Sequence, residues 1–198
     1  MSKFEEMKDH LSSNFDNLND VLEVELRKKI SIIDHKGQSF IALSINIEDN
    51  TFTVRVNGND IVELDFDDTK LFSIINAKTV AFIPIDGKKG LLGFGESYCG
   101  FVFFDNNDFC FVEFKLNANS LEERAIRKNR KKAIEQLKHT IALFDRKLNR
   151  NYNDLRSEAY VCTPETYPRG DKGWTDLAIA FYDEIAIPLF EHNEKICI

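Results

Sequence analysis

The chain has 198 residues, 43% of them hydrophobic and 17 of them phenylalanine, which is enough length and apolar content for one domain with a full core. No apolar run approaches the ~18 residues of a membrane span, and the polar start MSKFEEMKDH has no signal-peptide character. A net charge of −7 speaks against a protein that coats nucleic acid indiscriminately.

Residues 14–33 read as a helix, because Phe15, Leu18, Leu22, Leu26 and Ile30 recur at three- and four-residue steps, with Ser12, Ser13 or Asn14 as its cap. Glu25 falls at the flank of that apolar face and Glu23 points away. Residues 39–66 alternate in strand fashion. Ser39–Ile47 and Thr51–Val56 are split by Glu48-Asp-Asn50, and a second turn at Asn57-Gly-Asn-Asp60 leads to Ile61–Phe66. This is an antiparallel meander, expected as an edge extension of the main sheet or an insertion. Asp65, Asp67 and Asp68 lack calcium-loop spacing and read as turn or cap acids ahead of a short helix at 68–76. Val80–Ile85 is another apolar strand.

Residues 98–115, YCGFVFFDNNDFCFVEFK, are the most informative stretch. Two apolar strands flank a turn at Asp105–Asp108, so Phe104 pairs with Phe109 and Glu113 lies opposite Gly100. Alternation places Tyr98, Gly100, Val102, Phe111, Glu113 and Lys115 on one face. Cys99, Phe101, Phe103, Cys110, Val112 and Phe114 take the other. Both faces are apolar, as in a strand pair covered on both sides. Two charges at the end of such a hairpin persist when they are paired, bind a metal or do chemistry.

A long helix over 121–149 buries Ile126, Arg130, Ala133, Ile134, Leu137, Thr140, Ile141, Phe144 and Leu148. Gln136 sits at the boundary of that face, and Arg130 within it requires a carboxylate or phosphate partner. Residues 124–150 hold ten of the 26 Lys and Arg against two acids, leaving this segment at +8. Arg127, Lys128, Lys131 and Lys138 belong to its polar side, either a phosphate-binding face or a solvated one. Tyr160–Thr163 is the next strand, Asp176–Glu184 a short helix and Leu189–Ile198 a final strand. In the loop 164–175, Tyr167, Arg169 and Trp174 are either a stacking surface or anchors into the core. The four cysteines form no metal-binding pair and read as buried, reduced thiols of a cytoplasmic protein.

A hairpin ending in Glu113-x-Lys115, followed by a basic amphipathic helix with Gln136, resembles the PD-(D/E)XK nuclease superfamily over residues 80–198. The resemblance implies an α/β fold, with a mixed central sheet flanked by helices in a restriction-endonuclease-like core, to which the meander at 39–66 is added. It implies a metal-dependent nuclease acting on DNA or RNA, in a defence or restriction system, with Mg²⁺ or Mn²⁺ as cofactor and a protein partner or a second copy as a further possibility. Glu113 would bind the metal, Lys115 would orient water, and Gln136 and Glu25 would stand near the centre. The family's strand Asp should lie opposite Glu113, where this chain has Gly100. Asp105 is five positions away, roughly 16 Å along a strand. Glu96 has the right parity and would need a bend at Gly93 or Gly95 to act as the second metal ligand. The alternatives are an inactive nuclease-fold subunit, with Glu113 and Lys115 kept as a buried ion pair, and an α/β protein in which Glu-x-Lys is coincidence.

Overall fold

The structure is a computed structural model and describes residues 1–56, 60–65, 70–93 and 97–198. It opens with α1 (Lys3–Asn14), capped by Ser2, whose hydroxyl accepts from the Glu5 N–H at 3.2 Å. Phe4, Met7 and Leu11 recur on one face and are buried. A single turn, α2 (Leu18–Val21), follows, and then the strands β1 (Glu23–Glu25) and β2 (Lys29–His35). The helix expected over 14–33 is therefore wrong. The apolar steps at Phe15, Leu18 and Leu22 belong to the α1–α2 link. Val24, Ile30, Ile32 and Ile33 are β-branched residues that pack better on a pleated surface.

The remaining strands are β3 (Gln38–Asn46), β4 (Thr51–Val56), β5 (Asp60–Asp65), β6 (Leu71–Ile75), β7 (Val80–Pro84), β8 (Phe101–Phe104) and β9 (Asp108–Phe114). After α3 (Glu123–Lys147) come β10 (Arg156–Cys162), α4 (Lys172–Ile185), β11 (Leu189–Phe190) and β12 (Glu194–Ile196). They form two six-stranded sheets, β1-β7-β8-β9-β10-β11 and β12-β6-β2-β3-β4-β5. In the first sheet β7, β8 and β9 are antiparallel, while β9, β10 and β11 run parallel, with α3 connecting β9 to β10.

The antiparallel meander is present as β3, β4 and β5, and the turn expected at 57–59 lies outside the described residues. It does not extend the edge of the main sheet. It belongs to a second sheet laid over that sheet's face. The short helix expected at 68–76 is replaced by β6, in which Phe72 and Ile74 turn to the core. The final strand expected over 189–198 is two strands, β11 joining the first sheet and β12 the second.

The reason is the two-faced hairpin. Val102, Phe104, Phe109 and Phe111 pack beneath the helices with Met7, Leu11, Leu137 and Phe144. Phe101, Phe103, Cys110, Val112 and Phe114 point the other way, onto Ile30, Ile32, Phe72 and Ile74 of the second sheet. Each phenylalanine buried in this way contributes about 1.5–3 kcal/mol, so neither face is left open to water. Cys99 and Gly100 leave the expected alternation: a Cβ on Gly100 would face Ser39 and Phe114 on the second-sheet side, and Cys99 turns to the helices. The Cys99 N–H donates to Thr140 Oγ1 at 2.8 Å. All four cysteines are free and buried. Among the described residues, no helix is long and apolar enough to cross a membrane.

Candidate functional site

The register Phe101↔Val112 and Phe104↔Phe109 matches the expected hairpin, and the ladder ends one residue short of Gly100 and Glu113. Glu113 is 5% exposed at the end of β9. The Lys115 ammonium pairs with its carboxylate and donates to Gln136 Oε1 at 2.6 Å and to the Phe114 carbonyl at 3.2 Å. Gln136 is buried on α3, and its Nε2 donates to the Tyr98 carbonyl at 2.9 Å. The structure thus joins three of the expected residues in one cluster, and all three donors of Lys115 are engaged.

Burial pushes the Glu113 carboxyl up to about 7, against the opposing pull of Lys115, with Asp34 adding to the rise and the Gly100 N–H working against it. Asp34 is the next-to-last residue of β2, and its own carboxyl is raised by burial, moderated by the Gly37 N–H and by Lys115, with Asp86 acting to raise it. Asp34 therefore approaches this cluster from the second sheet. A strand-end acid before Lys36-Gly37 was a visible turn signal, but the helix expected over 14–33 concealed it.

An acid whose folded pKa exceeds its unfolded value binds its proton more tightly in the folded state, so stability falls as pH rises from about 4.5 to about 7. Glu113→Gln is expected to remove that slope, worth about 3 kcal/mol between pH 5 and pH 8. Urea melts at the two pH values measure it. Equal pH dependence in parent and variant would show that Glu113 does not titrate in this range.

Gly100 stands where the resemblance places the metal-binding Asp, and the space beside it is tight. A Cβ on Gly100 would lie 3.1 Å from Ser39 Oγ and 3.3 Å from Phe114 Cδ2, so the second sheet already occupies that direction. Glu96, the other expected ligand, lies outside the described residues. Among the described residues, no three His, Cys, Asp or Glu side chains are placed to hold a metal ion.

Glu25 is not brought to this cluster. It lies on β1 opposite Val80, five residues along β7 from Ile85, whose N–H bonds the Gly100 carbonyl. That is about 16 Å along the strand. The Glu25 carboxylate instead holds Arg27 at 2.6 Å and accepts the Leu26 and Arg27 N–H groups.

Arg127, Lys128 and Lys131 are exposed on α3, whereas Lys138 is half-buried and donates to Glu184 of α4 at 2.5 Å. At about 100° per residue, Arg127, Lys131 and Lys138 lie about 180°, 140° and 160° around the helix from Gln136. Lys128, at about 80°, and the exposed Lys132, at about 40°, lean toward its flank, so the basic residues of α3 surround more than one side of the helix.

Arg130 finds carboxylates. Its Nε and Nη2 grip Glu191 at 2.8 Å each, Nη1 reaches Asp171 at 2.8 Å, and Nη2 also donates to the Pro168 carbonyl at 2.7 Å. Tyr167 and Trp174 are buried beside its guanidinium, with ring centroids 5.9 and 5.6 Å away. They anchor the 164–175 loop and offer no stacking surface. No family model, curated protein or solved structure matches this chain.

Proposed function

We propose that this chain is a nuclease-like α/β protein of the PD-(D/E)XK type that has lost its metal centre and works as a nucleic-acid-binding or assembly subunit. Supporting the reading, β7, β8 and β9 are three consecutive antiparallel strands, followed by α3 and by β10, which runs parallel to β9. Glu113 and Lys115 end the third strand, and Gln136 meets them from the next helix. The observation that carries the loss of cutting is the closure of this cluster. Lys115 spends its donors inside the protein, and a side chain at Gly100 would press on Ser39 and Phe114. The exposed cations of α3 supply a phosphate-binding surface.

One observation favours a second reading, an active Mg²⁺-dependent nuclease acting on DNA or RNA. Asp34 helps to raise the pKa of the buried Glu113 carboxyl, and a cation beside Glu113 would relieve that. Calorimetric titration of Mg²⁺ and Mn²⁺ into the parent protein, Glu113→Ala and Asp34→Asn separates the two. The binding-subunit reading expects no saturable heat in any of them. Binding in the parent that both variants abolish would replace it with the nuclease.

Binding itself has its own test. Charge reversal at Lys128 and Lys131 together is expected to weaken binding to oligonucleotides and to lower the log–log salt slope by about 2. Parent and variant with equal affinity and equal slope would reduce this face to a solvated helix surface.

A further inference from the structure

The side of α3 turned away from the sheet carries a row of cations centred on Glu135. At about 100° per residue, Arg124, Lys128, Lys131, Lys132 and Arg146 all lie within about 60° of Glu135 around the helix. The buried Leu137 and Phe144 lie about 160° and 180° from it. All five cations are exposed. At about 1.5 Å per residue the row runs roughly 33 Å from Arg124 to Arg146.

The charges of this row do not balance. Among the described residues Glu135 is its one acid, and Lys138, on the same side, pairs with it at 3.7 Å and with Glu184 of α4 at 2.5 Å. The other acids of the segment turn elsewhere. Glu122 and Glu123 lie about 140° and 120° round from Glu135. Asp145 accepts from the Tyr152 hydroxyl at 2.7 Å and pairs with Arg150 at 3.6 Å. None of the five cations has a carboxylate within ion-pair distance among the described residues. Arg124, Lys128 and Lys132 follow one another at four-residue steps, where like charges repel and weaken a helix. This surplus stands on a chain whose net charge is −7, and an external anion would relieve the repulsion.

We propose that this row lies along the backbone of a double-stranded nucleic acid and holds it without regard to sequence. The proposal rests on the nucleic-acid reading above and names the form of the ligand. Length gives the first argument. A row of roughly 33 Å matches one turn of duplex, roughly 34–36 Å, so a single helix meets phosphates over a full turn. Composition gives the second. Between Arg124 and Arg146 the row holds no Phe, Tyr or Trp on which the bases of a single strand would stack. It also holds no large aliphatic side chain to anchor an acidic protein segment. Lysine ammonium groups, three of the five cations, grip phosphate as point charges and carry no base information.

Fluorescence anisotropy of the full-length protein with labelled oligonucleotides tests this. The probes are a DNA duplex and an RNA duplex of about 20 base pairs, two turns, and the single DNA strand of the same length, each over a salt series. One of the duplexes is expected to bind about tenfold or more tighter than the single strand, equally for two unrelated sequences, with a log–log salt slope near −4.5, roughly 0.9 per cation of the row. Lys128→Glu combined with Lys132→Glu should weaken duplex binding about tenfold or more and lower the slope by about 2. Both positions are exposed, and unchanged circular dichroism verifies that the variant folds. Lys172→Glu, at an exposed lysine of α4, should leave the slope unchanged. Duplex binding untouched in the α3 variant, or lowered as much by Lys172→Glu, would overturn the proposal. A single strand bound as tightly as the duplexes and lost in the α3 variant would overturn it and leave the nucleic-acid reading standing. Binding of neither duplex nor single strand would end both. Polyglutamate held more tightly than the duplexes at the same salt would overturn it in favour of an acidic protein partner.

Discussion

Arg130→Met is expected to destabilise the fold by about 3–5 kcal/mol, the cost of stranding a buried charge. Arg130 is 3% exposed, and its two main partners are unequal. Asp171 is partly solvated and also caps α4 by accepting the Trp174 N–H at 2.9 Å. Glu191 is 4% exposed and keeps only Thr163 Oγ1 at 2.9 Å and a distant Arg169 at 3.8 Å once Arg130 is gone. The guanidinium thus ties α3 to the start of α4 and to the end of β11. Arg130→Lys should recover little of the loss, because one ammonium cannot reproduce the forked grip on Glu191. Chemical denaturation of the three proteins measures this. A loss below about 1 kcal/mol for Arg130→Met would mean that Glu191 is reached by water in the folded state.

The second large effect is expected at Lys195→Met, again about 3–5 kcal/mol. Lys195 is 8% exposed on β12 and reaches Glu158 Oε2 at 2.6 Å and Asp108 Oδ2 at 3.3 Å. Asp108 is fully buried at the start of β9, and Arg156 holds only its other oxygen, at 2.8 Å. Without Lys195, that carboxylate keeps one cation at the rim and faces the core with an oxygen that has no hydrogen-bond partner among the described residues. Tyr160 donates to the same Glu158 oxygen at 2.6 Å, so the network links β9, β10 and β12 and pins the second sheet to the first. A double-mutant cycle of Lys195→Met with Glu158→Gln should show coupling of roughly 0.5–3 kcal/mol, the order seen for direct partners. Additive losses would show that the two side chains act separately.

These two networks explain why the charged residues of this chain do not all advertise function. Arg130 and Lys195 are as buried as Glu113, yet each is satisfied by carboxylates from distant segments and holds elements together. The Glu113–Lys115 pair differs in what surrounds it. It sits at a strand end with a raised carboxyl and a second carboxyl, Asp34, approaching from another sheet. That difference is one of tertiary placement, which the spacing Glu-x-Lys does not convey.

What the sequence determined by itself was local. The 98–115 hairpin and its register follow from apolar alternation interrupted by a polar turn, and α3 follows from a 3.6-residue repeat sustained over seven turns, roughly the range where periodicity is least ambiguous. The meander strands follow from the same alternation between turn signals. The need of Arg130 for a partner was also legible, because an arginine within an apolar helix face cannot be left uncompensated. Only the tertiary structure decided where these elements go. Short apolar runs such as Leu71–Ile75 and residues 22–33 satisfy helix and strand spacing alike, and contact with the second face of the hairpin settled them as strands. The same contact placed Ser39 against Gly100 and Asp34 near Glu113. Partners separated by some 60 to 80 residues in sequence are joined by packing of two apolar sheet faces, and no local pattern encodes which segment covers which face.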